Sequence, residues 1–348
     1  MKAIAPQRKT AIVLFNLGGP DAPASVEPFL FNLFFDPAII RLPRPLRWLI
    51  ARLISRRRAP VAQKIYDELG GKSPIVENTQ AQAEALEKTL SQHGPVRVFT
   101  AMRYWHPRAM DIAREVKAYA PDHLILLPLY PQFSTTTTGS SVTEWQRAVE
   151  ACGLNVPTST VCCYPTQPDF IRAHAQLVRT YYDEAAQHGV PRVLFSAHGL
   201  PEKVIQRGDP YQWQVEQTTK AVLDQLNQPS LDAVNCYQSR VGPMKWIGPS
   251  TESEILRAAR QKKPIVLVPI AFVSEHSETL VELDIEYAAL AHENGLDRYY
   301  RVPTLSLHAQ FIAGLADLCL QQTTQPRCTS HTGGRICPKT FTQCGASA

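Results

Sequence analysis

Two kinds of segment take turns along this chain, and that alternation constrains its fold more than any other feature. Short apolar runs bounded by Gly, Pro or polar residues recur at AIVLFNL (11–17), VRVFTAM (96–102), HLILLPLY (123–130), PTSTVCC (157–163), RVLFSAH (192–198), DAVNCYQS (232–239) and PIVLVPIAF (264–272). Each has the length and composition of a buried strand. Between them lie patterns of helical period, such as NTQAQAEALEKTLSQH (78–93), PRAMDIAREVKAYA (107–120) and DPYQWQVEQTTKAVLDQL (209–226). Strand and helix in alternation predict an α/β fold built on parallel sheet. Two pairs of segments repeat in the same order: VLFNLGGP (13–20) with VLFSAHGLP (193–201), and LILLPLYPQFS (124–134) with IVLVPIAFVSE (265–275). The repeat predicts two similar halves facing across a cleft, with the boundary near CCYPTQPDF (162–170).

A chain of 348 residues that is 44% hydrophobic and 19% charged has ample material for such a core. No apolar run is long enough to cross a bilayer. The start, MKAIAPQRKTAIVLFNLGGP, is basic and then apolar, but the run breaks at Gly18-Gly19-Pro20. It reads as a first strand and turn rather than a secretory signal, and so predicts a cytoplasmic chain. The formal charge of +5 is unevenly spread: residues 41–58, RLPRPLRWLIARLISRRR, hold seven arginines and no acid. Trp48, Leu49, Ile50, Leu53 and Ile54 recur there at helical spacing. A basic amphipathic helix suits an anionic membrane surface, or else a solvated helix packed by its apolar stripe. No nucleic-acid motif accompanies the charge.

Candidate chemistry sits where the apolar runs end. In open parallel sheets, ligands bind beyond the carboxyl ends of the strands. RVLFSAH ends on His198, which is either placed for chemistry or merely closes the strand. FVSEHSETLVELDIEY (272–287) also follows an apolar run and carries His276 with Glu278, Glu282 and Glu286. Spacing of four predicts all three acids on one helix face. They form either a solvated acidic face or a row that passes cations or protons, and imidazole with carboxylate suits Fe(II), Zn or Ni. AMRYWHP (101–107) offers Arg103 for a carboxylate, and Tyr104 and Trp105 for a flat apolar ligand. YPQFSTTTTGSS (130–141), with Ser134 and Thr135, is a hydroxyl-rich loop that could hold carboxylates or phosphates. It lacks the pattern of a P-loop, and NLGGP is not a dinucleotide fingerprint.

LGGP, YPQFSTTTTGSS, FSAHGLP, GDPY, YQSRVGPMKWIGPST and PIAFVSEHSETLVELDIEY together resemble the ferrochelatases, which insert ferrous iron into protoporphyrin IX in the last step of haem synthesis. The resemblance runs from about residue 10 to 320. It implies two Rossmann-like domains with parallel sheets facing a porphyrin cleft: an N-terminal domain over 1–165 carrying an apolar and basic lip at 29–58, a C-terminal domain over 166–322, and a tail over 323–348. It implies a lyase with Fe2+ and protoporphyrin IX as substrates and His198 and Glu278 at the metal. His276, Glu282 and Glu286 fall on a proton or metal track, and Arg103, Tyr104, Ser134 and Thr135 on the porphyrin-binding wall. The lip implies peripheral contact with the inner face of the cytoplasmic membrane. A carrier that binds porphyrin without turnover, and a cobalt or nickel chelatase for another tetrapyrrole, are the competing readings.

Eight cysteines in a cytoplasmic chain argue against structural disulfides. Three of them, Cys328, Cys337 and Cys344, lie in a polar, Gly- and Pro-containing tail with little apolar content. Such thiols read as metal ligands with a fourth from the body, and some ferrochelatases carry a [2Fe–2S] cluster held in this way. The distant cysteine of the animal enzymes falls at Thr135 here. Cys163 is the expected fourth ligand, with Cys162, Cys152 and Cys236 as alternatives. Zinc would suit the same thiolates, and a tail without fixed structure is the simplest alternative.

Overall fold

The structure, a computed structural model, describes residues 8–228, 231–240, 242, 244–322 and 325–346. The basic start at 1–7, and Val241 and Pro243 of the YQSRVGPMKWIGPST motif, lie outside the described residues.

In chain order the first half contains β1 (Thr10–Asn16), α1 (Val26–Phe34), α2 (Arg44–Asp67), α3 (Ile75–Leu90), β2 (Val96–Met102), α4 (Ala109–Tyr119), β3 (His123–Pro128), α5 (Thr138–Cys152) and β4 (Thr158–Cys163). The second contains α6 (Pro168–Ala186), β5 (Arg192–His198), α7 (Glu202–Gln206), α8 (Tyr211–Leu226), β6 (Asp232–Gln238), α9 (Thr251–Arg260), β7 (Ile265–Pro269), α10 (Ser277–Leu280), α11 (Tyr287–Glu293), β8 (Tyr299–Arg301) and α12 (Ala309–Leu320). A last strand, β9 (Cys328–Ser330), lies in the tail.

The strands form two parallel sheets, ordered β2-β1-β3-β4-β9 and β6-β5-β7-β8. In each, the first strand of its half lies between later ones, with β1 flanked by β2 and β3 and β5 by β6 and β7. Helices cover both faces, so β1, β3, β5 and β7 are buried nearly end to end, as their unbroken apolar runs require. All seven predicted strands are present. Because every strand runs parallel to its neighbours, the carboxyl ends of each sheet lie together.

The tail departs from expectation. It has little apolar content, yet β9 pairs with β4 through Thr160–Cys328 and Val161–Thr329 and extends the first sheet. The sheet supplies the hydrogen bonds and burial that the tail alone lacks.

α6 carries a feature that the sequence did not reveal. His174 is buried, its ring edge-on to Phe170 at 4.7 Å. Burial, and then the neighbouring His308, push its pKa down to about 3. In the unfolded chain it takes a proton below about pH 6.5. Between those values the unfolded state binds more protons, so stability falls as pH falls through that window, by up to about 1.4 kcal/mol per unit. His174→Phe is therefore expected to lessen the loss of Tm between about pH 6.5 and 4.5. An unchanged slope in the variant would count against this assignment.

Candidate active site

The carboxyl ends of both sheets face one cleft of about 200 Å³. Its wall takes Asn16 at the end of β1 and Leu17 after it, Tyr104 after β2, the 129–137 loop after β3, His198 at the end of β5, and the loop after β7. The lining is mainly apolar, with a few convergent polar groups, as small-molecule sites usually are.

His198 and Glu278, far apart in sequence, meet here. His198 Nδ1 and Glu278 Oε2 are 2.8 Å apart. The His198 carbonyl accepts from the Tyr211 hydroxyl at 3.1 Å, which pins the strand end. The imidazole is 38% exposed, into the cleft. Burial alone would lower its pKa, but the Glu278 carboxylate, with Glu282 behind it, holds it above the ordinary imidazole value. Burial would raise the Glu278 pKa, but His198, and then His276, bring it down to about 2. Glu278 is therefore anionic across the working range, and the pair can exchange a proton with whatever occupies the cleft.

His276 is buried, and its Nδ1–H donates to the Ser274 carbonyl at 3.1 Å. Its Nε2 lies 3.9 Å from Glu278 Oε2. Among the described residues, no three His, Cys, Asp or Glu side chains converge in a grouping able to hold a metal. What the cleft presents is an imidazole–carboxylate pair with a second imidazole beside it.

The predicted row of three acids on one helix face does not form. After α10 the chain makes a π-helical turn over Glu282–Glu286. Glu286 N–H reaches back to the Val281 carbonyl and Tyr287 N–H to the Glu282 carbonyl, each five residues away. The wider turn places residue i+5, not i+4, over residue i. Tyr287 thus takes the predicted place of Glu286, and its hydroxyl donates to Glu282 Oε1 at 3.0 Å. Glu286 is left exposed. Glu282 also accepts from Ser239 N–H at 2.8 Å, Ser239 Oγ at 2.5 Å and Gln238 Nε2 at 3.0 Å. Burial, and then the neighbouring Glu278, hold its pKa up.

Tyr104 lines the cleft and Arg103 precedes it in the chain, but both are engaged internally. The Arg103 guanidinium is paired with Asp36 at 2.8 Å and Glu144 at 2.6 Å. The Tyr104 hydroxyl donates to the same Asp36 oxygen at 2.8 Å. Asp36, just beyond α1, thereby ties the segment leading into α2 to the end of β2. Ser134 and Thr135 are gathered in the same way by Asp209: its Oδ2 accepts from Ser134 Oγ at 3.0 Å, Thr135 N–H at 2.8 Å and Thr135 Oγ1 at 2.7 Å. Neither aspartate was singled out from sequence. GDPY offered one signal, since Asp209 precedes a helix and its Oδ1 accepts from Tyr211 N–H at 3.0 Å.

The tail thiols gather outside the cleft. Cys328, Cys337 and Cys344 meet Cys162 and Cys163 in a nest with Phe133, and all five cysteines are free thiols. Strand alternation would send Cys162 and Cys163 to opposite faces. A register shift against β9 between Val161 and Cys163 bends the strand end at this point. The Cys162 thiol shares protons with Cys163, Cys328 and Cys344 and is held up, while Cys328 and Cys344 are drawn down. The donor set is all sulfur, the type that a [2Fe–2S] cluster or zinc takes, but Cys162 and Cys337 are held up and no three of these thiols converge in a grouping able to hold a metal. Cys152 and Cys236 stay outside it: their thiols point to the Val149 carbonyl in α5 and the Phe195 carbonyl in the second sheet.

Comparison with known proteins gives one family. Residues 9–323 match the family model described as ferrochelatase. The chain is similar to the ferrochelatase of Pelagibacter ubique (strain HTCC1062), with 51% identity over 97% of this chain and 98% of the relative. It is also similar to those of Rickettsia bellii (strain OSU 85-389), with 50% identity over 97% and 95%, and Caulobacter vibrioides (strain NA1000 / CB15N), with 51% over 98% and 99%.

Proposed function

The chain belongs to the ferrochelatase family and inserts iron into porphyrin in haem biosynthesis; from that premise we propose that its substrate is protoporphyrin IX and that His198 and Glu278 carry the exchange. The observation that supports this most is the 2.8 Å pair of imidazole and carboxylate at the strand-end wall of an apolar cleft. The reaction removes two pyrrole N–H protons and adds one Fe2+. A planar macrocycle keeps its nitrogen lone pairs in the ring plane, so the cleft must hold the ring distorted, with strain drawn from binding the rest of the ring. The apolar lining supplies that binding. His198 accepts pyrrole protons, and Glu278 supplies the fixed negative charge that a desolvating cation needs. Glu282, held among Ser239, Gln238 and Tyr287, passes protons or metal onward, and His276 holds the far side of Glu278. Arg103, Tyr104, Ser134 and Thr135 build the porphyrin wall through Asp36 and Asp209. Anaerobic assays with Fe2+ and either protoporphyrin IX or coproporphyrin III test the substrate. The larger kcat/KM is expected with protoporphyrin IX, and a preference for coproporphyrin III would overturn that assignment.

The lip supports peripheral membrane contact. No helix among the described residues is long and apolar enough to cross a membrane. α2, however, buries the small residues Ala51 and Ser55 and leaves Trp48 50% and Leu49 59% exposed, beside exposed arginines. A helix whose first half packs by small residues and shows large apolar ones to solvent, while Tyr66 anchors its far end, has the form of a surface-binding helix. Each exposed apolar side chain contributes about 1.5–3 kcal/mol when buried. Trp48→Gln with Leu49→Gln is expected to weaken flotation with anionic vesicles by at least about tenfold. Flotation equal to the native protein's would leave this face as ordinary surface.

The thiol nest supports a [2Fe–2S] cluster held by Cys328, Cys337, Cys344 and Cys163. Cys162 is the alternative fourth ligand, because its thiol reaches two of the tail cysteines. Such a cluster supplies a one-electron centre. Protein purified under nitrogen is expected to be red-brown, bleached by dithionite, and colourless after Cys337→Ser. Cys163→Ser and Cys162→Ser separately identify the fourth ligand, with Cys236→Ser as the control. Native protein lacking iron and sulfide but fully active would remove the cluster and leave the cleft chemistry standing.

A further inference from the structure

Gln214 lies on α8 with no exposed surface, and both ends of its amide are engaged. Its Oε1 accepts from the Phe133 backbone N–H at 2.7 Å. A backbone N–H can only donate, so this bond fixes the amide and turns Nε2 the other way. There Nε2 faces Cys163 Sγ at 3.3 Å and Cys337 Sγ at 3.1 Å. One buried side chain thus holds the thiol nest at one end and the loop after β3 at the other. The Phe133 ring packs in the nest, while Gln132 and Ser134 on either side of it line the cleft. A second link runs alongside: Gln132 Nε2 donates to Thr218 Oγ1 at 3.0 Å, and Thr218 Oγ1 donates to the Gln214 carbonyl at 3.0 Å.

We infer that Gln214 is a positioning residue that couples the state of the thiol nest to porphyrin affinity through the Phe133 N–H. An amide N–H facing two sulfurs bonds to them only while they keep their places. When the nest sulfurs are fixed, they hold Nε2, and Oε1 holds the loop in its cleft-lining position. When they shift, that restraint weakens. Coupling between two sites is reciprocal, so porphyrin in the cleft also protects the nest. The inference rests on the reading of the cleft as the porphyrin site.

The test is a cycle of native protein, Gln214→Leu, Cys337→Ser and the double variant, with KM and kcat for protoporphyrin IX measured under nitrogen. Each single change is expected to raise KM by about fivefold or more, with a smaller change in kcat. The double change should raise it no further than the larger single one. The second readout needs no turnover. Saturating protoporphyrin IX, without Fe2+, should slow the reaction of the nest thiols with an aromatic disulfide reagent in metal-free protein of native sequence but not in metal-free Gln214→Leu. Effects on KM that multiply in the double variant, or equal protection with and without Gln214, would overturn the coupling. If Gln214→Leu loses its near-ultraviolet circular dichroism, Gln214→Glu takes its place. It keeps the acceptor for Phe133 N–H and removes the donor to sulfur, and the same outcomes decide. A native protein that forms no haem at all overturns the reading of the cleft instead, so the two failures are distinguishable.

Discussion

His198→Ala is expected to lower metal insertion by roughly 10²–10⁴-fold, the range for loss of a positioned acid–base group, while porphyrin still binds. The imidazole sits at the end of a rigid, buried strand whose last carbonyl is held by Tyr211. Its loss removes the proton acceptor without opening the core, because the ring projects into the cleft rather than into packing. On the proposed reading, porphyrin affinity comes from the apolar wall, which the change leaves in place. Porphyrin fluorescence titration gives the binding arm, and haem absorbance under nitrogen gives the insertion arm. Insertion near the native rate would show that His198 only closes its strand.

Glu278→Gln is expected to cut turnover by about 10²-fold or more, and Glu286→Gln by less than about threefold. By spacing alone the two acids look alike, eight residues apart on one expected helix face, although the resemblance puts only Glu278 at the metal. In the folded chain only Glu278 touches His198, and its charge is fixed because its pKa is drawn down to about 2. Removing that charge also removes what holds the His198 pKa up, so the pH at which the imidazole loses its proton should move lower in Glu278→Gln. Glu286 lies one position out of register, on the exposed side of the π-helical turn. Equal losses in the two variants would mean that the acids act as one row after all.

The parts of this molecule that follow from local pattern were legible in the sequence. Continuous apolar runs such as VLF before His198 and IVLVP before the 272–287 segment, short and bounded by Gly, Pro or polar residues, read as buried strands, and their ends mark the cleft. What was not legible depends on long-range partners or on a small change of helical period. The π-helical turn replaces Glu286 by Tyr287 over Glu282, and nothing in ELDIE distinguishes it from an ordinary helix. β8 and β9, three residues each, are too short to show an alternation of their own and form only against β7 and β4. Arg103 reads as a free cation until Asp36 and Glu144 arrive from two other elements. The tail cysteines look remote from the cleft by chain position. The fold sets them against Phe133, beside the loop that lines the cleft.

The most direct measurement is a single turnover: native protein loaded with one equivalent of protoporphyrin IX under nitrogen, mixed with Fe2+, and followed by porphyrin fluorescence and haem absorbance together. A cleft that binds the ring, takes its protons at His198 and holds the cation against Glu278 predicts that fluorescence disappears as haem absorbance rises, with one haem formed per bound porphyrin. Porphyrin that stays bound and fluorescent, with no haem formed by correctly folded protein, would contradict it and leave a carrier in its place.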